Sequence, residues 1–136
     1  MRAAQPVADI LGSTRSVAVV GVSDDPSRPS NEITRYLLSS TCYEIALVNP
    51  RLRRLVGRPV FGSLAELPRV PDLVTVFRQH AALPDVAEEA IAAGVRTLWL
   101  QLGLYDEQVA RRAEQAGLQV VMDRCIKVEH MRLHRR

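Results

Sequence analysis

The stretch Val17-Ala18-Val19-Val20-Gly21-Val22-Ser23, followed by Asp24-Asp25-Pro26-Ser27-Arg28-Pro29-Ser30, decides how this chain is read. Its apolar, largely β-branched start has the composition of a buried strand. Gly21 permits a close approach of backbone or ligand, and Pro29 suits the first turn of a helix, where a missing N–H is no loss. A strand, a glycine, a polar loop and a helix start, in this order, build a phosphate-binding βα turn, because the helix offers unpaired N–H groups and the positive end of its dipole. Neither common glycine fingerprint is present: Gly-x-Gly-x-x-Gly does not follow the strand and Gly-x-x-x-x-Gly-Lys-Ser/Thr occurs nowhere. Ser23, Arg28, Pro29 and Ser30 stand in place of the later glycines. Taken alone, the same residues also suit a strand and a helix merely punctuated by turn chemistry.

Outward from this turn, apolar runs at 16–22, 43–48, 73–77, 97–102 and 119–122 alternate with helical spacing at 31–40, 83–93 and 107–116. Gly94 and Gly117 stand where the second and third of these helices should stop. A short helix is predicted before Gly12 and another from Cys125 to Leu133, while 57–71 reads as irregular with one helical turn at 63–66. The pattern predicts an α/β fold in which a doubly wound, parallel, five-stranded sheet carries helices on both faces, as a single domain over 1–136 with its core at about 16–133. Trp99, between Leu98 and Leu100, belongs to that core.

In such a fold the ligand crevice lies at the carboxyl ends of the strands. The residues following each run are small or polar: Gly21-Val22-Ser23, Asn49-Pro50-Arg51, Phe77-Arg78, Gln101-Leu102-Gly103 and Asp123-Arg124-Cys125. A site for NAD places Asp or Glu at the second strand end to bind ribose hydroxyls. Asn49 and Arg51 stand there, which suits a phosphorylated ribose, and both NADP and coenzyme A carry one.

The 136 residues are enough for a core without disulfide staples. Net charge is only +3, although Arg51, Arg53, Arg54 and Arg58 lie in a stretch, 45–65, without an acid. With no aromatic residues interleaved among them and acids nearly balancing bases overall, nucleic acid is not the expected partner. No apolar run approaches the roughly 20 residues of a membrane span, and nothing resembles a signal peptide, so a cytoplasmic protein with no membrane partner is expected. Cys42 and Cys125 are expected as reduced thiols. His130 and His134 read as lying near an exposed end, and no metal site is expected from them or from His80.

The ordered set 17–23, Arg28-Pro29-Ser30, 48–51, 72–78, 99–103 and 122–130 closely resembles the small stand-alone CoA-binding proteins of bacteria and archaea. Their domain is similar to the CoA-binding domain of the succinyl-CoA synthetase alpha subunit and of ADP-forming acyl-CoA synthetases. The resemblance implies a Rossmann-like fold that binds coenzyme A or an acyl-CoA along the strand ends. Gly21, Val22, Ser23, Pro29 and Ser30 would cradle the pyrophosphate with Arg28 as counter-charge. Asn49, Pro50 and Arg51 would meet the adenosine and its 3′-phosphate, Phe77 and Arg78 would line the adenine or pantetheine side, and Gln101, Leu102, Gly103, Asp123, Arg124 and Cys125 would face the pantetheine arm. The larger enzymes need a phosphorylated histidine and an ATP-grasp module, and no His here sits in a glycine-rich turn. Non-catalytic binding is therefore expected, with an NADP-binding oxidoreductase domain, or a subunit presenting CoA to a separate ATP-grasp partner through the basic tail 132–136, as the alternatives.

Overall fold

A computed structural model describes residues 5–134, so Arg135 and Arg136 of the basic tail lie outside the described residues. The parallel core is built from β1 (Ser16–Val20), β2 (Glu44–Val48), β5 (Leu73–Val76), β6 (Thr97–Leu100) and β7 (Gln119–Val121), at or within the five apolar runs. The helices are α1 (Val7–Ser13), α2 (Pro29–Ser40), α3 (Leu83–Ala93), α4 (Glu107–Gln115) and α5 (Ile126–Leu133), with a single 3₁₀ turn at Leu64–Glu66 and another at His80–Ala82.

Five strands become seven. A two-residue β3 (Arg54–Leu55) and β4 (Arg58–Phe61) extend the sheet, whose order is β3-β4-β2-β1-β5-β6-β7. All pairings are parallel except β3 with β4. Without β3 this is the doubly wound order in which the chain reverses direction beside β1. The hairpin escaped the sequence because Arg58-Pro59-Val60-Phe61 has little strand character and its turn is Val56-Gly57, not Asn-Gly or Asp-Gly. Both turn residues have positive φ, 52° at Val56 and 72° at Gly57, as a type I′ turn demands. A β-branched residue is strained there. Val56→Asn should therefore raise stability by about 1 kcal/mol, read as a higher denaturation midpoint at unchanged m-value.

Side chains alternate across the sheet. Ala18 and Val20 of β1 join the layer with Val86 and Ala90 of α3 and Ala113 of α4, whereas Val17 and Val19 join Ile10, Leu37, Trp99 and Ile126 on the face of α1, α2 and α5. Burial on both faces explains why the strands read as continuous apolar runs. Val20 pairs with Val48 and Val76, and Val76 with Leu100, so four central strands end at one level.

His130 departs from its expected place at an exposed end. It is only 6% exposed, with Tyr36 and Tyr43 edge-on to its ring and Tyr36 Oη 2.7 Å from its Nδ1. It thereby joins α5 to α2. Burial, reinforced by neighbouring His134, holds its pKa below the ordinary histidine value. The neutral ring belongs to the folded state, so its contribution is present above the unfolded pKa near 6.5 and is lost as pH falls from there through the lowered folded value. The carboxylates with depressed pKa, Asp25, Asp72 and Glu88, act at lower pH. Thermal melts between pH 7 and 5.5 should show a falling midpoint, and His130→Phe should flatten that slope.

Candidate functional site

The direction of the chain reverses between β1 and β5, and the turns after these two strands touch. Gly21 N–H donates to Val48 O at 2.9 Å, and Phe77 N–H to Val20 O at 2.8 Å. Gly21 has φ +94°, and a Cβ added to it would lie 2.9 Å from the carbonyl carbon of Phe77, nearer still to its oxygen, and 3.3 Å from Cδ of Arg78. The two turns are in contact only because residue 21 has no side chain. The stem of Arg78 lies across the same spot.

Two asparagines fix the loop that follows. Asn49 Nδ2 donates to Val22 O at 2.7 Å while its Oδ1 accepts from Arg51 N–H at 2.8 Å. Asn31, buried in the first turn of α2, donates through Nδ2 to Ser23 O at 2.8 Å and accepts from Arg35 Nε at 2.9 Å. A carbonyl turned on an anion would repel it, so tying both oxygens to amides suits the loop to an anion. Further along, Ser23 Oγ accepts from Asp25 N–H, and Asp25 Oδ1 accepts the N–H and hydroxyl of Ser27 at 2.9 and 2.7 Å. These bonds, with the Ser27 hydroxyl foremost, hold the Asp25 carboxyl below its ordinary pKa. No side chain caps α2, whose first residue is Pro29; Ser30 is buried beside Asn31.

The arginines at the strand ends are of two kinds. Arg124 lies 3.7 Å from Glu129, and Arg28 lies 3.9 Å from Asp25. Arg51 and Arg78 have no acidic partner among the described residues, nor do Arg53 and Arg58; Arg54 donates to Gly57 O. Unpaired cations therefore stand at the β2 and β5 ends, Arg51 and Arg78, whereas Arg58 starts β4 and lies with Ser16 and Glu44 at the amino edge of the sheet.

The far end is built differently. Gln101 is buried, and its Oε1 accepts from the Thr75 hydroxyl at 3.1 Å and from Ile126 N–H at 3.0 Å, fastening β5, β6 and α5 together. Asp123, at φ 57°, accepts Gly103 N–H through Oδ1 at 2.7 Å and donates its own N–H to Leu104 O, which locks the β6 and β7 turns. Trp99 is core, as expected, and its Nε1–H donates to Arg124 O at 2.8 Å. Cys125 is partly buried and stands at the N-cap of α5. Pro50 and Leu102 are exposed.

The structure thus brings Gly21, Val22, Ser23, Asn49, Arg51, Phe77 and Arg78 together and gathers Leu102, Gly103 and 123–125 at the other end, with Gln101 behind them as a brace. Arg28 stands at the rim. Asn31 carries no signature in the sequence, where a buried asparagine in a helix reads as any polar position. No group of three or more potential metal ligands occurs among the described residues, and none of the described helices is long and apolar enough to cross a membrane.

Residues 15–131 match the family described as CoA binding domain. The chain belongs to this CoA-binding domain family. It is 37% identical over 124 residues to the uncharacterized protein YneT of Bacillus subtilis, covering 91% of each chain. It is 26% identical over 122 residues to ADP-forming acetate–CoA ligase I of Archaeoglobus fulgidus, covering 81% of this chain and 17% of the ligase. In structure it is similar to a hypothetical protein from Pyrococcus horikoshii OT3, with TM-score 0.87, 30% identity, and coverage of 98% of this chain and 99% of that one. The chain is thus similar both to a chain of its own length and to a small part of a CoA ligase.

Proposed function

We propose that the chain binds coenzyme A along the carboxyl ends of β2, β1, β5, β6 and β7, and performs no chemistry on it alone. The observation that carries this reading is the Gly21 turn. Its glycine lets the turn close against the Phe77 backbone where a Cβ would overlap, the carbonyls of Val22 and Ser23 are tied back by Asn49 and Asn31, and the stem of Arg78 lies alongside. The loop that follows suits a pyrophosphate, with the Ser30 N–H and the dipole at the start of α2 turned to it. Arg51 is the cation for the ribose 3′-phosphate, presented by the Asn49-capped turn after β2. Ser23, Pro29, Ser30 and Arg28 complete the phosphate side, and Pro50 and Phe77 flank the adenosine. When bound, coenzyme A would supply a thiol able to carry an acyl group as a thioester. The chain's own contribution is to bind and orient it.

Arg51→Ala should weaken binding of coenzyme A by about tenfold, in line with loss of one charge-assisted contact, and leave dephospho-CoA unchanged. Calorimetric titration of both ligands into both proteins checks this. Equal losses for both ligands would remove Arg51 from the 3′-phosphate.

The correspondence to a 17% portion of an ADP-forming ligase supports a second reading, in which the chain holds CoA for a separate ATP-grasp partner. Co-purification of an ATP-grasp protein, lost on deleting residues 132–136, would favour it.

A further inference from the structure

The two ends of the strand-edge crevice differ in polarity. At the β2 end the arginines are unpaired. At the β6–β7 end Glu129, its side chain 13% exposed, is shared between Arg124 at 3.7 Å and Arg132 at 3.1 Å, so its charges are already spoken for. Beside these charges and that of Asp123 stand apolar side chains. Leu102, Tyr105 and Val128 are 70%, 55% and 42% exposed, and with Met122 and Cys125 they line a cleft of about 390 Å³. Exposed apolar side chains gathered in one concave place mark a binding site more often than chance surface.

From the geometry we infer that this cleft is the acyl subsite, and that the natural ligand is an acyl-CoA whose chain is longer than acetyl. The inference rests on the coenzyme reading above. Four strand spacings separate β2 from β7, roughly 19 Å, about the reach of an extended phosphopantetheine arm. A ligand with its ribose phosphate at Arg51 thus brings its thioester to the β7 turn, where the next atoms of an acyl chain meet Leu102, Met122 and Val128. Glu129, with Arg124 and Arg132 both held on its one carboxylate, forms the rim. A cleft of this volume holds several methylene groups, and the two carbons of acetyl would leave most of it empty.

Calorimetric titration with CoA, acetyl-CoA, butyryl-CoA and hexanoyl-CoA tests this. Affinity should change little from CoA to acetyl-CoA and then tighten by about twofold to fourfold per added methylene, as expected for partial to full burial. Val128→Ser and Tyr105→Ser, both on exposed positions, should flatten the series while leaving CoA itself bound as before. A series already flat in the unmodified protein, with CoA bound, overturns the acyl subsite and leaves the coenzyme reading standing. So does a flat series in which Val128→Ser turns a dimer into a monomer by sedimentation, since the cleft would then seat a second copy of this chain. Failure of all four ligands to bind removes both readings together.

Discussion

Gly21→Ala is expected to lower stability by about 3 kcal/mol or more and to abolish coenzyme binding. Two effects add. At φ +94° any L side chain is strained, which by itself costs roughly 1–2 kcal/mol. The new methyl would also overlap the Phe77 carbonyl, which is backbone and hydrogen-bonded into the sheet through its own residue's N–H. Either β1 and β5 separate at their ends or the turn is displaced, and both outcomes move the Ser23 loop that would face phosphate. Gly94→Ala is the control. Gly94 ends α3 at φ +80° with nothing near its missing Cβ, so its substitution carries the strain without the overlap and should cost only about 1 kcal/mol. Denaturant titrations of the two variants should differ by at least the overlap energy, and only Gly21→Ala should lose the ligand. Equal losses of stability would mean that the contact with Phe77 does not constrain the turn.

Trp99→Ala should cost about 3–5 kcal/mol, the range for removing a fully buried large aromatic side chain. Against a total stability of about 5–15 kcal/mol, that brings the protein close to unfolding at physiological temperature. The indole lies among Val19, Leu73, Val121 and Ile126 on the face of α1, α2 and α5, and its Nε1–H satisfies Arg124 O. Trp99→Phe separates the two contributions. It keeps most of the packing but leaves a carbonyl without its donor, for about 1–3 kcal/mol, and it loosens the Asp123-Arg124-Cys125 turn. Chemical denaturation gives both differences directly. A Phe variant as stable as the original would show that the indole hydrogen bond does not support that turn.

Trp99 and Gly21 also mark what the sequence makes legible. Both follow from periodicity: a tryptophan inside a continuous apolar run is core, and a glycine at the end of one is a turn. The parallel sheet, its helices and the set of strand ends are legible for the same reason. The hairpin of β3 and β4 is not, because two residues of strand and a Pro in its partner leave no pattern to count, and because Val56-Gly57 hides its turn type. The burial of His130 is not legible either, because it comes from Tyr36, 94 positions away, and from Tyr43. Gln101 reads as a polar strand end, yet its acceptor oxygen is taken up by Thr75 and Ile126. Polar residues at strand ends can thus serve the fold or the ligand, and only the partners of each atom tell which.

The central claim is that the strand-end crevice recognises a coenzyme A phosphorylated at the 3′ position. The direct measurement is a calorimetric titration of the unmodified protein with coenzyme A, dephospho-CoA and NADPH. The expected result is saturable one-to-one binding of coenzyme A, at least tenfold weaker binding of dephospho-CoA, and none of NADPH. Binding of NADPH in preference to coenzyme A, or binding of coenzyme A that ignores the 3′-phosphate, would contradict it.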